Sequence, residues 1–136
     1  MMQESPSIRE VSRAFDRRVV LIVEDEVDLR GAIRDVLRSS GCAVDTAGSV
    51  PEALRCVLGR DYDVVISDIH LPKSDGLELA RLLSRRVRSP RIILMTADPS
   101  PELILEGYGA GASQVLSKPV SLTLLLRVVE EAPVLR

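Results

Sequence analysis

The sequence predicts an α/β fold, a parallel sheet wrapped by helices, and three observations carry that prediction. From Arg18 onward, apolar runs of strand length alternate with stretches of helical period, the mark of repeated βα units. Several of those runs are apolar without a break, as strands covered on both faces must be. Capping and turn residues punctuate the changes of period.

The elements follow in order. "VVLIV", Val19 to Val23, reads as the first strand. Leu29, Ile33, Val36 and Leu37 form one helical stripe, and Gly41 supplies a left-handed stop. "CAVDTA", Cys42 to Ala47, is a shorter second strand. Ser49 and Glu52 form an S-x-x-E cap, with Pro51 in the first turn of the second helix. "DVVIS" is the third strand, and Leu77, Ala80 and Leu83 mark a third helix before Pro90. "RIILMTA", Arg91 to Ala97, is the fourth strand; Ser100-Pro101-Glu102 opens the fourth helix. "SQVLS", Ser113 to Ser117, is the fifth strand. Leu122, Leu125, Leu126 and Val129 give a fifth helix that ends before Pro133.

The fourth helix closes on "EGYGAGAS", with Gly107, Gly109 and Gly111 at alternate positions. A glycine inside a helix costs about 1 kcal/mol relative to alanine. These glycines either loosen the helix for movement or simply turn the chain, and both readings stand. At the amino end, Ile8, Val11 and Phe15 share one helical face, but three apolar residues make a small contact. Residues 1–17 are therefore read as a tail, 18–131 as one domain and 132–136 as a short carboxyl-terminal tail.

Composition excludes several function classes. Among 136 residues there is one Phe, there are two Tyr and there is no Trp, so the core is aliphatic and stacking platforms for nucleic acid are missing. Net charge is −2 and no basic stretch is dense enough for direct nucleic-acid binding. Arg81, Arg85, Arg86 and Arg88 have roughly helical spacing and read as a solvated helix face. Cys42 and Cys56 lack metal spacing and read as reduced, packed cysteines. No signal peptide is visible and no apolar run nears the roughly 20 residues that span a bilayer. The expectation is a cytoplasmic protein without membrane contact.

In an open parallel sheet, ligands bind beyond the carboxyl ends of the strands. The first strand ends in Glu24, Asp25 and Glu26, the third in Asp68, the fourth in Thr96 and the fifth in Lys118-Pro119. Each has an ordinary explanation alone: acids cap helices, and a loop lysine is solvated. Together they crowd one rim. Carboxylates sharing a site repel unless a cation intervenes. A hard, oxygen-seeking ion such as Mg²⁺, which takes one or two carboxylates and a phosphate oxygen, resolves that crowding. Only Lys73 and Lys118 are lysines, the other sixteen of 18 basic residues being arginine. A compact ammonium at a strand end suits a single phosphate oxygen.

Four fragments, "VLIVEDE" (Val20 to Glu26), "DVVISDIHLPKSDG" (Asp63 to Gly76), "ILMTA" (Ile93 to Ala97) and "GASQVLSKPV" (Gly111 to Val120), resemble the receiver domain of two-component response regulators. They come in that family's order and spacing over roughly residues 18–131. The resemblance implies a flavodoxin-like doubly wound (βα)5 fold with strand order 2-1-3-4-5. It implies that Asp68 accepts a phosphoryl group from a histidine kinase or phosphotransfer protein. Glu24, Asp25 and Asp68 would hold Mg²⁺, with the backbone carbonyl of His70 as a further ligand. Thr96 and Lys118 would grasp the phosphoryl oxygens, and the Lys118–Pro119 bond would be cis. Leu71-Pro72 and Asp75-Gly76 would shape the return loop.

A protein effector would then dock on the face of the fourth helix, fifth strand and fifth helix, and a phosphorylation-dependent homodimer is a further arrangement the family allows. One departure stands out: where the family usually has an aromatic switch in the fifth strand, this chain has Val115. His70, two residues after Asp68, either tunes the lifetime of the acyl phosphate together with Asp98, two after Thr96, or is a neutral rim residue, or is itself phosphorylated. With no output segment after residue 131, a stand-alone receiver is expected, acting as a signalling switch and not as an enzyme. The rivals are a receiver cut from a larger transcription regulator or hybrid kinase, and a pseudo-receiver that takes no phosphate. A Mg²⁺-dependent phosphatase of similar fold would typically have a second aspartate where His70 stands.

Overall fold

The computed structural model describes residue 7 and residues 17–134. Ile8, Val11 and Phe15 therefore lie outside the described residues. Five strands, β1 (Val19–Val23), β2 (Ala43–Ala47), β3 (Val64–Asp68), β4 (Arg91–Thr96) and β5 (Gln114–Ser117), form a sheet in the order β2-β1-β3-β4-β5. Every neighbouring pair in it is parallel. The expected order 2-1-3-4-5 is the one found. Five helices connect and follow these strands: α1 (Val27–Ser39), α2 (Val50–Gly59), α3 (Gly76–Ser84), α4 (Pro101–Gly109) and α5 (Leu122–Glu130).

The period-2 alternation of the strands divides the interior into two cores. Leu21, Val23, Val65, Ile92 and Leu94 face a layer built from Ala53 and Val57 of α2 and Leu77, Leu79, Ala80 and Leu83 of α3. Leu103 of α4 and Val115 of β5 pack against the same layer. Val20, Ile22, Val64, Ile66, Ile93 and Met95 face the other way, onto Ile33 and Leu37 of α1 and Leu125, Val128 and Val129 of α5. Unbroken apolar runs were the right signal for strands buried on both faces.

Local chemistry sets the element ends. Gly41, at φ +98°, ends α1 in the left-handed region. Ser49 accepts from the Glu52 N–H at 3.3 Å, and Glu52 reaches back to the Gly48 N–H at 2.6 Å, one residue earlier than the usual capping box. Ser100 caps α4 and Ser121 caps α5, each accepting the N–H of the residue three positions on.

One expectation needs correction and another is extended. The arginine cluster does not share a helix face: α3 ends at Ser84 and Arg85 is its cap, although all four arginines are exposed. Asp75 and Gly76 do more than shape the return loop, since Asp75 caps α3 through the Leu77 N–H (2.8 Å) and Gly76 is its first residue. The left-handed residue of that loop is Lys73 (φ 59°), in the turn that closes a small antiparallel ladder pairing His70 with Asp75 and Leu71 with Ser74.

Candidate functional site

The sheet register brings the strand-end residues to one edge. Val23 lies level with Ser67, Asp68 with Met95, and Thr96 with Ser117. Glu24, Asp68, Thr96 and Lys118 therefore leave the sheet along the same rim. Backbone hydrogen bonds pin that rim beyond the strands: Glu24 N–H to Ala47 C=O (3.0 Å), Ile69 N–H to Met95 C=O (2.9 Å) and Lys118 N–H to Thr96 C=O (2.8 Å). The Lys118–Pro119 peptide is cis.

The Lys118 ammonium joins the two buried acids. Its Nζ donates to Glu24 Oε1 at 2.6 Å and to Asp68 Oδ2 at 2.6 Å. Glu24 is fully buried and Asp68 nearly so. The second oxygen of each acid is also occupied. Asp68 Oδ1 accepts the His70 N–H at 2.9 Å, and Glu24 Oε2 accepts the Glu26 N–H at 3.1 Å. Burial pushes the Glu24 carboxyl above its ordinary value, against the opposing pull of Lys118 and the Glu26 amide. Burial also works against charge on Lys118, but its hydrogen bonds to Asp68 and Glu24 outweigh it and hold the ammonium above the usual lysine value.

Asp25 completes an acidic triad. One oxygen from each of Glu24, Asp25 and Asp68 lies within 4.8 Å of the others, and Asp25 is the exposed member. That spacing, and an all-oxygen donor set, fit a hard divalent cation.

Two candidate residues sit differently from a simple pocket. Thr96 is fully buried, and its hydroxyl is engaged with the following loop, donating to the Asp98 carbonyl at 3.1 Å and accepting the Asp98 N–H at 2.9 Å. His70 is exposed and touches Asp68 through its backbone amide.

Of two further residues at the rim, the sequence reading took Gly76 only as part of the return loop and missed Arg30. Gly76 passes so close beneath Asp68 that an added Cβ would collide with the Asp68 carbonyl and sit 2.9 Å from the Ile69 Cα. Arg30 of α1 donates from Nη1 to the Glu24 carbonyl at 2.9 Å. The "D-G" pair hinted at the first, but only as a turn; nothing in the letters signals the second.

A sequence model of the response regulator receiver domain matches residues 20–130. The transcriptional regulatory protein TcrA of Mycobacterium tuberculosis is 36% identical over 104 residues, which are 76% of this chain and 41% of that protein. The response regulator protein PilR of Pseudomonas aeruginosa is 31% identical over 122 residues, 90% of this chain and 27% of that protein. The chain thus spans less than half the length of these curated relatives. The structure of the chemotaxis protein CheY4 of Vibrio cholerae superposes with a TM-score of 0.80 at 30% identity, covering 85% of this chain and 98% of that one. With the doubly wound sheet and a family match across most of its length, the chain belongs to the response regulator receiver domain family.

Proposed function

We propose that Asp68 accepts a phosphoryl group from a phosphohistidine on a sensor histidine kinase or phosphotransfer protein, and that the modified domain changes its binding to another protein. The observation that carries this reading is a buried carboxylate at a strand end, gripped by one ammonium at 2.6 Å beside two further acids. A carboxylate fixed in one orientation at the rim is positioned for nucleophilic attack on an incoming phosphoryl group. An Asp68 oxygen attacks phosphorus; the new P–O bond forms as the P–N bond breaks, and the donor imidazole leaves. Glu24, Asp25 and Asp68, with the His70 backbone carbonyl, would hold Mg²⁺, which when bound supplies charge neutralisation for the phosphoryl oxygens.

The chain's own residues supply the rest. The His70 amide fixes the rotation of the Asp68 carboxylate. Lys118 is already at the oxygen that would carry the phosphoryl group or lie beside it. Thr96 reaches a phosphoryl oxygen only by releasing the Asp98 carbonyl, so acceptance of phosphate loosens the loop that leads into the Ser100 cap of α4. Phosphorylation adds about −1.5 to −2 charges, and a hydrogen bond to a charged group contributes roughly 1.5–3 kcal/mol. Two or three such contacts match the roughly 5.5 kcal/mol that moves a population from 1:99 to 99:1. His70 and Asp98, both exposed at the rim, then set how readily water reaches the acyl phosphate.

The output face we assign is α4-β5-α5, where Leu105 (72% exposed), Tyr108 (46%) and Leu124 (42%) stand out in solvent. A protein effector or a second phosphorylated copy would dock there. Among the described residues no helix is long and apolar enough to cross a membrane, in keeping with a role in the cytoplasm. Incubation with Mg²⁺ and a small-molecule phosphodonor should add one labile acyl phosphate, read by intact mass. Asp68→Asn should abolish it; phosphate persisting on that variant would assign the acceptor elsewhere.

A further inference from the structure

The exit of β1 is held in a way the acidic residues alone do not explain. Glu24 takes its N–H to Ala47 at 3.0 Å, and its carbonyl accepts Arg30 Nη1 at 2.9 Å. Glu24 is fully buried, so that carbonyl would otherwise lack a partner in the interior. Arg30 reaches it from the first turn of α1 by crossing Gly48, at the end of β2. A Cβ at Gly48 would come 2.9 Å from Arg30 Nη1, and the Glu52 carboxylate borders the same spot at 3.5 Å. Gly48 is not in the left-handed region, so space for Arg30, and not backbone freedom, is what its missing side chain provides.

We infer that Arg30 is a positioning residue for divalent-cation binding by Glu24, Asp25 and Asp68; this rests on the acidic-triad reading above. The peptide unit is planar, so the Glu24 carbonyl and the Asp25 N–H turn together. Anchoring that carbonyl orients the backbone of Asp25, the exposed member of the triad. Groups that orient metal ligands from behind typically change affinity by about 10–100-fold when removed. The guanidinium also carries a positive charge, which by itself would repel a cation. Positioning and repulsion therefore predict opposite signs.

Isothermal titration of Mg²⁺ at fixed ionic strength separates them. Arg30→Met, which keeps length and loses the donors, should weaken Mg²⁺ binding about tenfold. Gly48→Ala, which keeps Arg30 but occupies its path, should weaken it in the same direction. Arg30→Lys, which retains a donor, should recover most of the loss. Melting curves without Mg²⁺ establish that each variant is folded, and Gly48→Ala and Arg30→Lys carry the test if Arg30→Met is not. If the folded variants bind Mg²⁺ as tightly as the parent, or more tightly, Arg30 acts only on the fold or by charge and the inference falls alone. If the parent chain does not bind Mg²⁺, the triad reading falls with it.

Discussion

Lys118 stands where two roles compete. Its ammonium neutralises Glu24 and Asp68 at 2.6 Å each, a charge compensation that a divalent cation would also supply. Removing one member of a buried ion pair usually costs about 3–5 kcal/mol because the remaining charge is uncompensated. Lys118→Met should therefore lower the melting temperature of the metal-free protein. It should also enlarge the upward shift produced by Mg²⁺, because the ion would then enter a site with no resident cation. A Mg²⁺-induced shift equal to or smaller than the parent's would show that Lys118 does not compete for that position. At this scale the legible residues were those with a charge at a strand end, since parallel-sheet geometry alone converges them. Arg30 was illegible for a physical reason: its partner is a main-chain carbonyl, which every residue has and no letter marks. The Thr96 hydroxyl was read as a ligand for phosphate, while its two present partners are again main-chain groups of Asp98.

Among the five helices, α4 buries the fewest residues. Gly107 is its only buried residue among those described, whereas α3 buries five. The alternating glycines that looked like one motif do three separate things. Gly111 turns the chain at φ +108°, Gly109 faces open space, and Gly107 lets α4 lie directly on β5. A Cβ at Gly107 would meet Val115 Cγ2 at 2.7 Å. Alanine in a helix gains about 1 kcal/mol over glycine, but overpacking typically costs 1–3 kcal/mol. Valine is stiff at χ1 and cannot turn aside cheaply, so overpacking should win. Gly107→Ala should destabilise by about 1 kcal/mol net, and Val115→Ala in the same chain should recover part of that loss. Urea melts of the two single variants and the double variant measure the coupling, and strictly additive effects would dismiss the contact. Gly107 and Val115 form a close helix–strand seat. Sequence periodicity could locate α4 but could not reveal this seat, which depends on two segments meeting.

Across the whole molecule, the fold was legible because the three central strands β1, β3 and β4 are buried on both faces and the helices carry apolar stripes, a pattern few architectures can bury. The return-loop ladder and the shortened α3 were not, since a two-rung pairing leaves no period to read. The same burial that builds the two cores also makes the protein sensitive to alkali. Cys42 and Tyr62 are both buried, at 5% and 4% exposure. Burial raises the Cys42 thiol above its ordinary 9.0, and burial, followed by its 2.7 Å bond to Asp45, raises the Tyr62 phenol above its ordinary 10.0. Lys118 is raised above 10.5. In each case the folded protein keeps a proton that the unfolded chain releases first, so stability falls as pH rises through that window. It is intact below about pH 7.5, where both states hold these protons. The urea midpoint should therefore be flat up to about pH 7.5 and decline from about pH 8 upward. Tyr62→Phe should cost about 0.5–1.5 kcal/mol at neutral pH through the lost hydrogen bond. Above about pH 10 it should decline less steeply than the parent, because phenylalanine has no proton to retain. General repulsion between accumulating negative charges would leave the two slopes equal, so parallel declines would remove Tyr62 from the alkaline transition.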